Sequence, residues 1–249
     1  MSYVITGDGS PTLYAAAYGE HYHSTKDGAF TETLHKHVLP AWEYRIRGRR
    51  QVTVLDLGFG LGYNSLVLFW LLQRLGFAGR LRILAVERDA ALIRRLPEFA
   101  YPETLIVLRP LLIGLAANGC YRRGQLEIRL VESEARAFLA AYAESDIGVD
   151  YVDVIFHDPF SPQKNPTLWT RECFAVYRRI GASDLLLTTY STAAAVRLGL
   201  YENGFRIYEN RPPARVRSAT LASLAPLPLP EIDMELKKIR NPAAQSLRD

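Results

Sequence analysis

The chain has 249 residues, of which 49% are hydrophobic, and it carries a formal net charge of +4. This length fits one large α/β domain, or one domain with a small insertion. The longest strictly apolar run, LVLFWLL at 66–72, is far shorter than the ~20 residues of a membrane-spanning helix. The sequence starts without a secretory signal, and its two cysteines have no metal-type spacing. We therefore expect a cytoplasmic protein without membrane segments or structural disulfides.

The basic surplus consists almost entirely of arginine, with 25 Arg against 5 Lys. Arginines cluster in RIRGRR (45–50) and RPPARVR (211–217). The guanidinium group binds phosphate through a fork of donors and stacks on bases, so nucleic acid is a candidate partner. A bias in genome composition, or ion pairs on solvated helix faces, would explain the same enrichment equally well.

Strand-like and helix-like patterns alternate along the chain, which predicts an α/β fold with a mainly parallel sheet. The predicted strands are 51–57, 81–87, 126–131, 151–157 and 184–189, followed by an antiparallel pair at 205–210 and 217–224. The predicted helices are 63–76, 89–96, 133–144, 168–180 and 192–203. The sequence thus predicts a seven-stranded sheet that ends in an antiparallel hairpin.

Two regions extend this minimal unit. Residues 97–122 are apolar and interrupted by proline, so we expect a small helical insertion there. Residues 226–249 begin proline-rich and end polar, which is typical of a tail. The predicted organisation is one domain over 1–225 and a C-terminal tail over 226–249.

A glycine-rich loop, VLDLGFGLGYN at 54–64, follows the first predicted strand and opens a helix. Glycines here permit a tight turn and a close backbone approach to a ligand at the helix N-terminus. The spacing is G-x-G-x-G, whereas a dinucleotide site requires G-x-G-x-x-G. The pattern favours S-adenosyl-L-methionine, although a structural turn without a ligand stays open. The loop residues predicted to bind the cofactor are Asp56, Gly58, Phe59, Gly60, Gly62 and Asn64.

Acidic residues also follow the next two predicted strands. Glu87 ends the second strand, where a carboxylate can bind both ribose hydroxyls. Glu134 follows the third strand, where it can accept a hydrogen bond from the adenine amino group. Either acid alone is more often a helix cap. Together with the glycine loop they predict a cofactor site at the carboxyl ends of the strands.

The loop HDPFSPQKNP, at 157–166, follows the fourth predicted strand and lies next to the predicted cofactor. Methyl transfer to an amine requires orientation and a neutral amine, and Asp158 is a candidate to hold the amine and take its proton. Pro159 stiffens the loop and Phe160 offers a face for a base. Lys164, Arg215 and Arg217 are candidate contacts to the substrate. A helix cap or a loop brace is the alternative for Asp158.

The histidines in HYH (21–23) and HKH (35–37), with His157, suggest a metal alternative. No acid or cysteine set completes such a site, and methyl transfer requires no metal. We therefore predict no metal.

The motifs above resemble the tRNA-modifying methyltransferase domain of the MnmC family over roughly residues 3–224. The matching stretches include EHYHSTKDGAFTETLH, DLGFGLGYN, VER, SEAR and DPFSPQKNPTLW. The resemblance implies a class I methyltransferase fold that uses S-adenosyl-L-methionine to methylate the 5-aminomethyl group of a wobble (2-thio)uridine in the tRNA anticodon. It assigns Gly58, Gly60, Asn64, Glu87 and Glu134 to the cofactor and Asp158 to the amine.

The chain departs from the family pattern at three positions. Asp56 stands where the family has Glu, and Glu134 where it has Asp, so both carboxylates are kept. Pro159 replaces a glycine in the loop that carries Asp158, so the family pattern does not fix the precise substrate of this chain. No second glycine motif for a flavin domain occurs in this chain. An aminopropyltransferase and a non-catalytic RNA-binding protein that holds the cofactor are the alternatives.

Overall fold

The structure, a computed structural model, describes residues 3–145, 151–212 and 216–249. The predicted substrate residue Arg215 lies outside these ranges. Eight strands of the described chain form one sheet in the order β10-β11-β9-β8-β4-β5-β7-β6, and three more form a small N-terminal sheet. The strands are β1 Tyr3–Ile5, β2 Pro11–Ala15, β3 Glu20–His21, β4 Gln51–Leu57, β5 Arg80–Glu87, β6 Cys120–Arg123, β7 Leu126–Glu132, β8 Val152–His157, β9 Gly181–Thr189, β10 Arg206–Asn210 and β11 Ala219–Ser223.

The central strands β9, β8, β4, β5 and β7 are parallel, and β10 and β11 pair antiparallel at one edge. The predicted α/β class I fold and its terminal hairpin are confirmed. The large sheet has one strand more than the seven predicted. The additional strand β6 ends the region that was expected to be helical and pairs antiparallel with β7. Its sequence, CYRR, is polar because an edge strand exposes its side chains and does not show the apolar pattern of a core strand.

Helices cover both faces of the large sheet. They are α1 Ala29–Thr33, α2 Leu39–Ala41, α3 Tyr63–Arg74, α4 Ala90–Arg95, α5 Glu103–Ile106, α6 Arg109–Asn118, α7 Ala135–Glu144, α8 Arg171–Ile180, α9 Ala194–Glu202 and α10 Met234–Arg240. Helix α1 continues through a π-helical turn, Leu34–Val38, into α2, and a second π-helical turn, Trp42–Ile46, follows. The expected helical insertion is present as α5 and α6.

Neighbouring residues of the central strands point into two separate cores. Val54 packs with α3, α5 and α6 on one face, whereas Leu55 packs with α7, α8 and α9 on the other. Parallel strands buried on both faces read as continuous apolar runs, as VTVLDL and YVDVIF do. Both cores are therefore completed by helices, and the loops at the carboxyl ends of the strands are left to form the site.

The tail residues 226–249 pack against the body of the domain. Met234 is buried at the start of α10, and Leu247 packs against the core beneath α8. Asp249 accepts a hydrogen bond from the hydroxyl of Thr170 over 2.7 Å. Within the described residues, no helix has both the length and the apolar character required to cross a membrane.

Candidate active site

The glycine loop between β4 and α3 has a backbone that only glycine adopts without strain. Gly58, Gly60 and Gly62 have φ values of +79°, +52° and +74°. A Cβ at Gly60 would lie 2.8 Å from the Tyr22 ring, and one at Gly62 would lie 2.6 Å from the Phe59 ring. The Phe59 amide donates to the Val86 carbonyl over 3.1 Å and ties the loop to β5. The glycines therefore let aromatic side chains and a ligand approach the loop closely.

Glu87, at the end of β5, binds the glycine loop directly. Its Oε2 accepts a hydrogen bond from the Gly60 amide over 2.8 Å. Its Oε1 accepts from the amides of Arg88 and Asp89 over 2.8 and 2.9 Å. These contacts hold the carboxylate at the rim of the loop, where it lines both cavities described below.

Asp56 lies beneath the loop and is completely buried. Its Oδ2 accepts a hydrogen bond from the Ser65 hydroxyl over 2.6 Å, and burial raises its pKa to about 7. It lines neither of the two cavities that the described residues form. Asp56 therefore supports the loop from behind.

Glu134 precedes α7 and caps that helix. Its Oε2 accepts hydrogen bonds from the amides of Arg136 and Ala137 over 2.7 and 3.1 Å. The capping role is therefore realised. Glu134 also lines the cavity beside Glu87, so the same carboxylate is available to a ligand there.

The loop after β8 is braced on several sides. Tyr190 donates to the Pro159 carbonyl over 3.1 Å, and the Trp169 indole donates to the Phe160 carbonyl over 2.8 Å. The Ser161 amide donates to Glu20 of the N-terminal sheet over 3.0 Å. Trp169 is fully buried, as expected for a core residue. This bracing holds Asp158 at the mouth of the sheet.

Asp158 is the acid of this loop, and its pKa is strongly shifted. Its side chain is only 12% exposed. The amide nitrogen of Asn64 donates to its Oδ2 over 2.9 Å. Burial, together with the negative charges of Glu32 and Asp56, raises the pKa of Asp158 well above its usual value. A carboxyl group with a raised pKa is suited to accept and hold a proton near neutral pH.

Two adjoining cavities lie over the carboxyl ends of β4, β5, β7 and β8. The first, of about 680 Å³, is lined by Glu87, Glu134 and the segment Leu13–Tyr18. The second, of about 590 Å³, is lined by Asp158, Glu32 and Arg217 among others. The residues shared by both cavities are Tyr22, Gly58, Glu87, Pro159 and Phe160. Two ligands bound side by side would therefore meet beside Asp158.

The N-terminal sheet closes the site from outside. The Tyr18 ring stacks on the Phe160 ring with centroids 4.0 Å apart, and the Arg88 guanidinium lies 5.5 Å from the Tyr18 centroid. Tyr22 packs over Gly60 at the junction of the two cavities. This sheet is formed by the segment before β4. The sequence patterns predicted no secondary structure for that segment.

The structure brings most of the predicted site residues together. Gly58, Phe59, Gly60, Glu87, Asp158, Pro159, Phe160 and Arg217 line the second cavity, and Glu134 lines the first. Asn64 contacts Asp158, and Gly62 is the N-cap residue directly before α3. Lys164 is exposed and lies outside the lining of both cavities formed by the described residues.

Several site residues were not predicted from the sequence. Tyr22, Glu32 and Tyr190 line the second cavity, and His37 lies beneath it. Tyr22 and Glu32 belong to the segment EHYHSTKDGAFTETLH, which matched the family pattern without suggesting a role for individual residues, and His37 follows two residues after it. Only the fold brings this segment beside Asp158.

The histidines make different polar contacts. His23 and His37 are on the N-terminal segment, and His157 packs among aromatic rings with its Nδ1 2.9 Å from the Tyr177 hydroxyl. In the parts of the chain that the structure describes, no group of three metal-binding side chains occurs.

Comparison with known proteins identifies related sequences. A profile of a family described as S-adenosyl-L-methionine-dependent methyltransferase matches residues 113–225. The tRNA 5-methylaminomethyl-2-thiouridine biosynthesis bifunctional protein MnmC of Azoarcus sp. is 35% identical over 222 residues, covering 80% of this chain and 32% of the relative. The MnmC protein of Thiobacillus denitrificans is 33% identical over 235 residues, covering 88% of this chain and 36% of the relative. The chain thus spans about a third of the length of these curated relatives.

A solved structure matches over the whole chain. The crystal structure of MnmC2 from Aquifex aeolicus is 31% identical in sequence and superposes with a TM-score of 0.82. The match covers 100% of this chain and 78% of that chain. The similarity therefore includes the glycine loop, the Asp158 loop and the N-terminal sheet.

Proposed function

The chain belongs to the MnmC family of S-adenosyl-L-methionine-dependent methyltransferases, and from this premise we propose that it methylates the amine of a 5-aminomethyl wobble (2-thio)uridine in tRNA. The observation that carries the proposal is the position of Asp158. This acid lines the second cavity next to the residues that the two cavities share. A methyl group passing from one cavity to the other would pass beside it.

The first cavity fits the cofactor. Its volume of about 680 Å³ lies within the range of pockets for small cofactors. We infer that Glu87 accepts hydrogen bonds from the ribose hydroxyls and Glu134 from the adenine amino group, since both line this cavity. Gly58 of the glycine loop also lines this cavity, in a backbone with a φ of +79° that glycine adopts without strain. When bound, S-adenosyl-L-methionine supplies a methyl group activated by its sulfonium.

Asp158 prepares the acceptor. An aliphatic amine is mostly protonated at neutral pH, so it must lose a proton before it has a lone pair to react. We infer that the N–H bond breaks as the proton moves to a carboxylate oxygen of Asp158. The neutral nitrogen would then be free to take the methyl group that S-adenosyl-L-methionine supplies, with the electron pair of the broken carbon–sulfur bond remaining on sulfur. The raised pKa of Asp158 lets it accept this proton near neutral pH.

The braced loop supplies orientation. Pro159, Phe160 and Ser161 are fixed by Tyr190, Trp169 and Glu20. We infer that the fixed acid and the cavity walls align the reacting atoms, and such alignment accounts for several kcal/mol of a displacement barrier. The Phe160 face at the junction of the cavities offers a surface on which the uracil ring can stack.

Two basic residues at the second cavity are candidate contacts to a nucleic acid. Arg217 lines this cavity and its side chain is 71% exposed, held by Asp27 over 3.3 Å. Lys26 lines the same cavity. We propose that both contact phosphates of the anticodon loop around a flipped-out base. The exposed Lys164 is a further phosphate contact in this proposal, and the cytoplasmic location expected from the sequence belongs to it as well.

The aminopropyltransferase alternative is not favoured. The matched family and relatives are methyltransferases. The non-catalytic alternative leaves the buried acid and its hydrogen-bond donor Asn64 without a role.

The proposal is tested by single-turnover transfer of labelled methyl from S-adenosyl-L-methionine to tRNA that carries 5-aminomethyluridine. Unmodified tRNA is the parallel acceptor, and putrescine with decarboxylated donor tests the polyamine rival. We expect label only on the aminomethyl tRNA. Label on unmodified tRNA, or aminopropyl transfer to putrescine, would refute the proposed acceptor. Binding of cofactor without transfer to any acceptor would support the non-catalytic alternative.

A further inference from the structure

A buried histidine faces the oxygen of Asp158 that Asn64 does not bind. Asn64 donates to Oδ2 over 2.9 Å. On the other side, His37 Nε2 lies 3.7 Å from Asp158 Oδ1. The His37 side chain is 1% exposed, and its Nε2 has no hydrogen-bond partner among the described residues. A nitrogen buried in this way costs free energy unless it finds a partner.

The contact of the other ring nitrogen, Nδ1, determines which nitrogen of His37 carries the hydrogen. Its Nδ1 lies 2.8 Å from the Thr188 hydroxyl on β9. This contact is the only one that the described residues show for the fully buried hydroxyl, so the hydroxyl hydrogen is satisfied only by donation to Nδ1. The ring is neutral, because burial and the charge of Lys36 lower its pKa to about 3. A neutral ring that accepts at Nδ1 carries its hydrogen on Nε2, facing Asp158.

Charged and titratable groups from several elements surround Asp158 and His37. Asp158 is faced by Glu32 on α1, Lys36 on the π-helical turn, Asp56 on β4 and Tyr190 after β9. His37 is faced by Lys36, His23 and His157. Lys36 donates to Asp27 and Glu32 over 3.1 and 2.7 Å. Among these groups, His37 is the one whose unpartnered nitrogen lies against Asp158 Oδ1.

We propose that His37 is a positioning residue for the methyl transfer, whose Nε2–H is the second hydrogen-bond donor that orients the Asp158 carboxylate toward the acceptor amine. The inference rests on the proposed function, because that function gives the carboxylate its amine. The present 3.7 Å separation closes to a hydrogen bond with a shift of less than about 1 Å. Asn64 and Thr188-bound His37 then hold the two oxygens from opposite sides, so the carboxylate plane is fixed.

The test is a titration of Asp158 in protein labelled with ¹³C at the aspartate carboxyl carbons. The Asp158 signal is assigned by its loss in Asp158→Asn. The variants are His37→Phe, which removes the donor, and His37→Gln, which restores an N–H donor. His157→Phe is the matched control, because His157 is equally buried but faces Tyr177. Thermal unfolding and cofactor binding show that each variant is folded.

We expect His37→Phe to raise the Asp158 midpoint by about one pH unit, because losing a donor disfavours the carboxylate. His37→Gln and His157→Phe should keep the wild-type midpoint. An unchanged midpoint in His37→Phe would overturn the proposal, and a lowered midpoint would show that Nε2 accepts and would also overturn it. The titration uses neither tRNA nor cofactor, so a failure of the proposed function, seen as no transfer by the wild-type protein, is distinguished from a failure of this inference.

The second readout is the pH dependence of single-turnover transfer. The acid limb should move to higher pH in His37→Phe by the same amount as the carboxyl midpoint. In His37→Gln it should return to the wild-type position. A uniform loss of rate at all pH values in both variants would indicate a merely structural role and contradict the assignment.

Discussion

A hydrogen bond between Asn64 and Asp158 joins the glycine loop to the loop after β8. Asn64 is in the first turn of α3, directly after the glycine loop, and its amide donates to Asp158 Oδ2 over 2.9 Å. A ligand that moves the glycine loop therefore acts on the acid through one hydrogen bond. The contact also gives the amide group of the buried Asn64 a partner.

The close approach at Gly60 predicts a specific loss of cofactor affinity. Gly60→Ala places a Cβ 2.8 Å from the Tyr22 ring in a backbone with φ +52°. Gly76→Ala is the matched control, since Gly76 has φ +63° and nothing within 4 Å of a Cβ. Both variants should lose about 1 kcal/mol of stability from backbone strain. Only Gly60→Ala should bind S-adenosyl-L-methionine at least about tenfold more weakly by calorimetric titration; equal affinities would contradict the account.

Substitutions of Glu134 separate its capping role from its role at the cavity. Glu134→Ala should lower the unfolding free energy by about 1 kcal/mol, because α7 loses its cap. Glu134→Ser restores a cap but does not reach into the cavity. We therefore expect thermal stability to recover in the serine variant while cofactor affinity stays reduced in both. Recovery of affinity with the cap would show that Glu134 acts only on the helix.

The exposed Arg217 at the second cavity leads us to expect a change in the salt dependence of tRNA binding when it is replaced. Loss of one phosphate contact in Arg217→Ala should reduce the slope of log K against log salt by about 1. Arg123→Ala is the control, because Arg123 is exposed on β6 at the far edge of the sheet. Filter binding at several salt concentrations measures both. Equal slopes for Arg217→Ala and wild type would remove Arg217 from the interface.

Asp56 predicts how stability changes with pH. Its pKa is about 7 in the folded protein and about 3.9 in an unfolded chain. Between these values the folded state holds a proton that the unfolded state has lost, so stability falls as pH rises, by up to about 1.4 kcal/mol per unit. Asp56→Asn removes this contribution. We measure the unfolding free energies of the variant and the wild type in urea. The variant's value minus the wild-type value should increase from pH 5 to pH 7. A difference that does not change with pH would contradict the raised pKa of Asp56.

Much of this fold was predictable because the central strands are buried on both faces. Strands β4, β5, β7 and β8 appear as apolar runs, and the glycine spacing after β4 indicated a ligand loop. Strand β6 was missed because CYRR has no apolar alternation. The N-terminal sheet was missed because β1 and β3 have only 3 and 2 residues. Short edge strands depend on tertiary contacts that no local pattern records.

Some site residues could be predicted from the sequence, and others could not. Glu87, Glu134 and Asp158 follow strands, so their common edge could be inferred from topology. Glu32, His37 and Tyr22 reach the site across more than 100 residues of sequence from Asp158. Their contribution depends on how α1 and its π-helical turn pack against β9, which the sequence pattern of that segment does not reveal.

The most direct test of the central claim is nucleoside mass analysis after one turnover with tRNA that carries 5-aminomethyluridine. The account predicts that the wild-type protein converts this nucleoside to one heavier by a methyl group on its amine. Asp158→Asn should bind S-adenosyl-L-methionine normally and convert the nucleoside at least about 10²-fold more slowly. Methylation elsewhere in the tRNA, or an equal rate in Asp158→Asn, would contradict the account.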